Sequence, residues 1–178
     1  MAIQQLTIPM FPLGILLLPG ETKTLHIFED RYKELISDCL LNDVHFGIPF
    51  SQNKVIGKYG IEVKLVKVIK TYENGELDVL IEGLRIFTLV EYFDVLKPKL
   101  YGAGLVLFSE VIRETPSLKL QDLIKDYIWT TQNNSLPIDA FDNSTLYSVA
   151  RLLDLSNKEK QELVSLTSNF EKENYLMQ

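Results

Sequence analysis

Only one cysteine, Cys39, and two histidines, His26 and His45, occur in the 178 residues. A lone cysteine excludes an internal disulfide and a cysteine-rich zinc site, and two histidines cannot build a three-histidine metal centre. No metal and no cofactor is expected. Basic residues are also in short supply: 18 Lys and Arg face 24 Asp and Glu, a formal net charge of −6. Phosphate contacts supply most of the affinity of nucleic-acid binders, so this balance disfavours that class. The apolar run Met10 to Leu18 is interrupted by Pro12 and Gly14 and falls far short of the roughly 20 residues a spanning helix needs. The first basic residue is Lys23, so a charged signal-peptide start is missing and the cytoplasm is the expected compartment.

Catalytic signatures are missing as well. No Gly-rich phosphate loop ending in Lys-Ser or Lys-Thr occurs, and no Gly-x-Ser-x-Gly elbow. Cys39 falls late in its predicted helix, away from the positive dipole end that would activate a thiol, and reads as a small buried hydrophobe. His26, between Leu25 and Ile27, reads as a strand residue, and His45 follows a loop. No nucleophile–base pair is visible, so an enzyme is not expected and no catalytic residue is assigned.

What is present is an ordinary globular mixture, 46% hydrophobic and 24% charged. A chain this long buries enough surface to fold without disulfides or metal. Its periodicity changes near Pro116. Residues 1–116 read as short β-branched and aromatic segments punctuated by Gly and Pro, with one helix over about 29–41. Pro9 and Pro12 place the first strand on a sheet edge or in a loop. Tyr32, Leu35, Ile36, Cys39 and Leu40 form the helix's apolar face, and Glu29 and Asp30 sit at its acid-favouring start. Ile61, Val63 and Leu65 alternate with polar residues until the parity slips at Val66, the mark of a bulge. Asn74-Gly75 predicts a type I′ hairpin with two positive-φ residues. Leu105 to Ile112 is the last strand candidate.

Residues 117–178 read as three helices. The first, Ser117 to Thr130, carries Leu120, Leu123, Ile124, Tyr127 and Ile128 on a stripe wider than a two-helix seam requires. Pro116 suits its first turn. The second carries Leu146, Val149, Ala150 and Leu153. The third opens on Ser156-Asn157-Lys158-Glu159, a capping-box spacing, and continues its face through Leu163, Leu166 and Phe170. Asn133 to Asp142 is expected to be the loosest segment. The helices are expected to pack on the β-rich part without a flexible linker.

Two blocks of sequence then stand out. One runs Phe11-Pro12-Leu13 to Leu18-Pro19-Gly20 and on to Leu25-His26-Ile27-Phe28-Glu29-Asp30-Arg31-Tyr32. The other is Glu82-Gly83-Leu84-Arg85-Ile86-Phe87. Together they resemble the N-terminal substrate-binding domain of Lon protease, which also occurs as stand-alone proteins. Ile86 stands where many members carry a second arginine, and Lys58 follows Gly57 where many have threonine. The ATPase and the protease of full Lon have no counterpart here. The resemblance implies an α+β fold, a PUA-like β pseudo-barrel followed by a C-terminal helical bundle, with Phe28, Glu29, Arg31, Tyr32, Glu82, Gly83, Arg85 and Phe87 as its motif residues. Their physical reading is structural: Glu29, Arg31, Glu82 and Arg85 would fasten the helix to the barrel. Gly83 would allow a bulge or a close backbone approach.

The function that follows is a non-catalytic module binding unfolded polypeptide or a partner protein, in protein quality control. Ile48, Pro49 and Phe50 after Gly47, Tyr92 and Phe93 after a strand, and Trp129 are the candidate apolar contacts. The alternative is an RNA-binding PUA-like protein using the stripe Lys54, Lys58, Lys64, Lys67 and Lys70.

Overall fold

The computed structural model describes residues 5–108, 115–132, 141 and 144–178. The chain divides into two compact units, Met1–Ser109 and Glu110–Gln178.

The described residues of the first unit form six strands, β1 (Gln5–Met10), β2 (Thr22–Ile27), β3 (Phe46–Gln52), β4 (Val55–Thr71), β5 (Leu77–Phe93) and β6 (Gly102–Phe108), and one helix, α1 (Asp30–Asn42). They form one sheet in the order β2-β5-β4-β3-β1-β6, and a further β5–β6 pairing closes the ring. Closure is possible because β5 is long. It pairs with β4 from Leu77 to Thr88, with β2 over Leu77 to Glu82, and with β6 from Phe87 to Phe93. Bulges bend the long strands: Val66 and Ile69 in β4 and Leu84 and Val90 in β5 are skipped in the pairing. The Val66 slip is where the alternation predicts it. Inside lie Met10, Phe46, Ile48, Ile61, Ile81, Ile86 and Phe87, all essentially inaccessible to solvent.

Several expectations change here. Ile48, Pro49 and Phe50, expected to offer apolar contacts, lie in strand β3, which pairs with β4 on one side and, in parallel, with the end of β1 on the other. Its Pro49 falls at a bulge, where the register shifts before Ser51. Pro9 is tolerated because β1 pairs with β6 along its length but meets β3 only from Met10. Gly102-Ala103-Gly104 belongs to β6 and does not merely precede it. The type I′ pair is also displaced. Asn53 and Lys54, between β3 and β4, have φ of 52° and 65°, whereas at the Asn74-Gly75 turn only Gly75 is positive, at 78°. In α1, Leu40 points outward at 59% exposure, and Asp38 takes a buried place beside Cys39. Asp38 is stabilised there by Tyr101 Oη and Lys99 Nζ, which donate at 2.5 and 2.9 Å. These bonds hold its carboxyl below the usual range, the Lys99 bond most strongly.

The described residues of the second unit form four helices: α2 (Leu118–Gln132), α3 (Leu146–Ala150), α4 (Asn157–Ser165) and α5 (Asn169–Leu176). Leu120, Ile124 and Ile128 of α2 pack with Phe141, Leu146 and Val149. The Ser156–Glu159 capping box is present as the spacing predicts. The helix does not run on to Phe170, however. It stops at Ser165, and a second capping box, Ser168 with Glu171, starts α5 and leaves Phe170 74% exposed. Pro116 sits one residue before Ser117, whose hydroxyl accepts from Leu120 N–H, so it precedes the cap and is not in the first turn. Ser117 N–H donates to Glu173 of α5 at 2.6 Å. The strand end at Ile112 and all but Phe141 of the Asn133–Asp142 segment lie outside the described residues.

Candidate functional site

The wide stripe of α2 has two fates. Leu120, Ile124 and Ile128 are buried, while Leu123 and Tyr127 remain 44% and 39% exposed. That exposed half forms one wall of a groove of about 820 Å³ within the helical unit. Ile124 lies at its base. The opposite walls come from Leu153 and Leu155 before α4, and from Tyr175, Leu176 and Met177 at the end of α5. The volume lies within the roughly 300–1,000 Å³ of ordinary ligand sites.

Two capping boxes set this shape. The first turns the chain sharply at Ser156, so Leu155 faces the groove as α4 departs. The second restarts the helix at Ser168, so that α5 can return and place Tyr175 beside α4, with its hydroxyl donating to Glu162 at 2.9 Å. Burial and then the Glu162 bond push the Tyr175 hydroxyl up to about 12.

The rim is polar and mostly acidic. Asp154, Glu159 and Glu162 line it with one lysine, Lys158. Ser156 donates its hydroxyl to Glu159 at 2.6 Å, which lowers the Glu159 carboxyl and commits the serine to the cap. No histidine or cysteine lines the groove. Its serine is committed and its tyrosine is hard to ionise, so the arrangement can bury apolar side chains but lacks an activated nucleophile.

The six apolar contacts proposed from the sequence do not meet at this groove. Ile48 is fully buried and Pro49 is buried in β3, so neither offers surface to a peptide. Phe50 is half-buried in the same strand. Tyr92 is half-buried and Phe93 38% exposed at the end of β5. Trp129 is 62% exposed on α2 but does not line the groove. The signal for the groove was the excess width of the α2 stripe. Leu155, Tyr175 and Met177 had no such signal, because they come together only through the turn between α4 and α5.

The lysine stripe lies on β4 and its leading turn. Lys64 is paired with Glu82 at 2.9 Å, and Lys70 sits 4.2 Å from the Tyr72 ring centre. Lys54, Lys58 and Lys67 are exposed. Among the described residues no group of three or more His, Cys, Asp or Glu could hold a metal ion, and no helix is long and apolar enough to cross a membrane.

Residues 7–169 match the family described as the ATP-dependent protease La (LON) substrate-binding domain. The chain belongs to this family. Two solved Lon N-terminal domains share its fold. One, a Lon N-terminal domain protein from Xanthomonas campestris, is 23% identical with a TM-score of 0.75, and 97% of each chain is covered. The other, from a Mycobacterium avium complex Lon protease, is 15% identical with a TM-score of 0.66, and 96% of each chain is covered. No curated protein matches the sequence.

The blocks shared with the Lon domain family have distinct structural roles. Gly83 is a close-approach site: a Cβ there would fall 2.5 Å from Ile61 Cδ1 and 2.8 Å from the Leu18 carbonyl oxygen. The Pro19-Gly20 loop docks at this point, with Gly20 N–H donating to Gly83 O at 2.7 Å and Gly83 N–H to Glu21 O at 2.9 Å. Arg85 is paired across the sheet with Glu62 and donates to its carboxylate at 2.6 Å. Its guanidinium also lies 3.8 Å from the Phe108 ring centre. Glu62 is buried, and His45 approaches its other oxygen at 3.5 Å. Arg85 therefore joins strand to strand and not helix to barrel. Arg31 does not fasten the helix either. It pairs at 2.8–2.9 Å with Glu29, two residues away, with both side chains exposed. Tyr32, stacked on Phe11 at 3.7 Å between ring centres, fastens the helix together with Asp38, bonded to Tyr101 and Lys99. Phe87 is in the core, whereas Phe28 is 59% exposed.

Proposed function

We propose that this member of the Lon substrate-binding family is a non-catalytic module that holds segments of unfolded polypeptide, working in cytoplasmic protein quality control. In this reading the first unit is a PUA-like pseudo-barrel and the second a helical bundle that carries the binding surface. The observation that carries it is the open apolar groove between α2, the Leu153–Leu155 turn and the end of α5. A bound side chain such as leucine or phenylalanine gains about 1.5–3 kcal/mol on full burial. Two or three such anchors must offset an association cost of comparable size, so single-site binding is weak and reversible. That suits a module that samples many sequences. The RNA reading gains nothing from the fold: the stripe contains a neutralised lysine, and the chain's charge is −6.

The test is affinity for a chemically unfolded model polypeptide, wild type against Leu123→Lys. Leu123 is 44% exposed, so the substitution leaves the core untouched. A loss of about tenfold, near 1.4 kcal/mol, is expected with an unchanged urea midpoint, since one anchoring contact is removed. Unchanged affinity would remove the groove from the binding surface.

A further inference from the structure

We propose that the groove selects polypeptide segments in which apolar residues stand next to Lys or Arg, and discriminates against segments flanked by acids. The inference rests on the polypeptide-binding reading and adds the chemistry of the occupant. Its ground is charge complementarity at the rim. Three carboxylates, Asp154, Glu159 and Glu162, border the apolar floor against the single Lys158. That lysine is itself 3.9 Å from Glu162 and 87% exposed, so it offsets a neighbour more than it presents charge to a ligand.

The carboxylates differ in what they have left to offer. Glu159 accepts from both the backbone N–H and the hydroxyl of Ser156 through the same oxygen. Its carboxylate is thereby fixed in place and held ionised, so it acts as a stationary negative charge. Glu162 is half exposed and accepts from Tyr175 through Oε2, while Oε1 faces Lys158. Asp154 opens the same rim from the turn before α4. A segment that seats a leucine or phenylalanine on Ile124 and Leu155 brings its neighbouring residues against these acids. Lysine or arginine there gains an attraction and can lay its methylene stem along the apolar wall. Aspartate or glutamate meets like charge at the edge of a low-dielectric surface.

The experiment uses the full chain and three synthetic peptides with the same Leu and Phe pattern, carrying lysine, glutamine or glutamate between the apolar residues. Fluorescence anisotropy at low salt reads their affinities. The expected order is lysine tightest and glutamate weakest, spanning about three- to tenfold, because one or two exposed ion pairs contribute at that level. A variant with Asp154→Asn and Glu162→Gln should compress this span to less than about twofold, read as the ratio of lysine-peptide to glutamate-peptide affinity within the variant, so that any change in its overall affinity cancels. A control with the same charge change at Asp43→Asn and Glu73→Gln, both exposed in the first unit, should leave the span intact. If the control compresses the span as much as the groove variant, net charge and not the rim sets the preference, and the inference is wrong. Equal binding of the three peptides overturns the inference and leaves the binding reading standing. Failure of all three to bind overturns both.

Discussion

Two arginines that look alike in sequence have different roles once their partners are known. Arg85 neutralises Glu62, a carboxylate only 5% exposed, across adjacent strands. Removing the guanidinium leaves that charge with only the long His45 contact, so Arg85→Ala should cost about 1–3 kcal/mol in urea unfolding. Arg31 and Glu29 are about equally exposed neighbours at the start of α1. Arg31→Ala should shift stability by no more than about 0.5 kcal/mol. Matching losses in the two variants would contradict these assignments. His26 carries a pH dependence. Its Nδ1 lies 2.7 Å from Asp78 and its Nε2 3.1 Å from Glu76, an arrangement both nitrogens can satisfy only as donors, that is, as imidazolium. Asp78, and then Glu76, raise its pKa above 6.5. Protonated His26 therefore stabilises the fold fully below pH 6.5, while the carboxylates remain ionised, and the benefit is lost as pH rises through the raised value. The gap in urea midpoint between wild type and His26→Gln should be widest near pH 5–6 and narrow toward pH 8. A gap that widens with pH would reverse the assignment.

At the scale of elements, the capping boxes decide the site. The Ser156 box was legible because serine and glutamate three apart precede an apolar run. The Ser168 box has the same spacing, yet the apolar rhythm through Leu166 to Phe170 concealed it: a helical period continues on paper across a break that backbone capping makes. Ser168→Ala removes the acceptor for Glu171 N–H at 3.2 Å. It should cost about 0.5–2 kcal/mol of local stability. Because α5 contributes Tyr175, Leu176 and Met177 to the groove, the same variant should weaken polypeptide binding, and titration with the glutamine peptide reads this directly. Affinity unchanged in a measurably frayed α5 would detach that wall from the site. β3 was hidden for a related reason. Gly47 and Pro49 are poor strand formers, and only tertiary pairing with β4 makes Phe46–Gln52 a strand.

For the whole molecule, the two family blocks were legible because each has a chemical reason to keep its residues: a docking loop at Gly83, a buried ion pair at Arg85, an aromatic stack at Tyr32. The groove was not, because its walls come from three separated stretches and none is a motif. The apolar candidates Ile48, Pro49, Phe50, Tyr92, Phe93 and Trp129 lie in β3, at the end of β5 or on α2, and sequence hydrophobicity alone cannot separate buried from available. The account stands on the groove being where polypeptide binds. Photo-crosslinking maps it most directly: an apolar peptide carrying a photoreactive phenylalanine analogue is bound to the full chain, irradiated, and the adducts are located by mass spectrometry. Adducts are predicted on Leu123, Tyr127, Leu155 and Met177, lost on competition with unlabelled peptide. Competable adducts confined to residues 5–108 would contradict the account and place the binding surface on the strands.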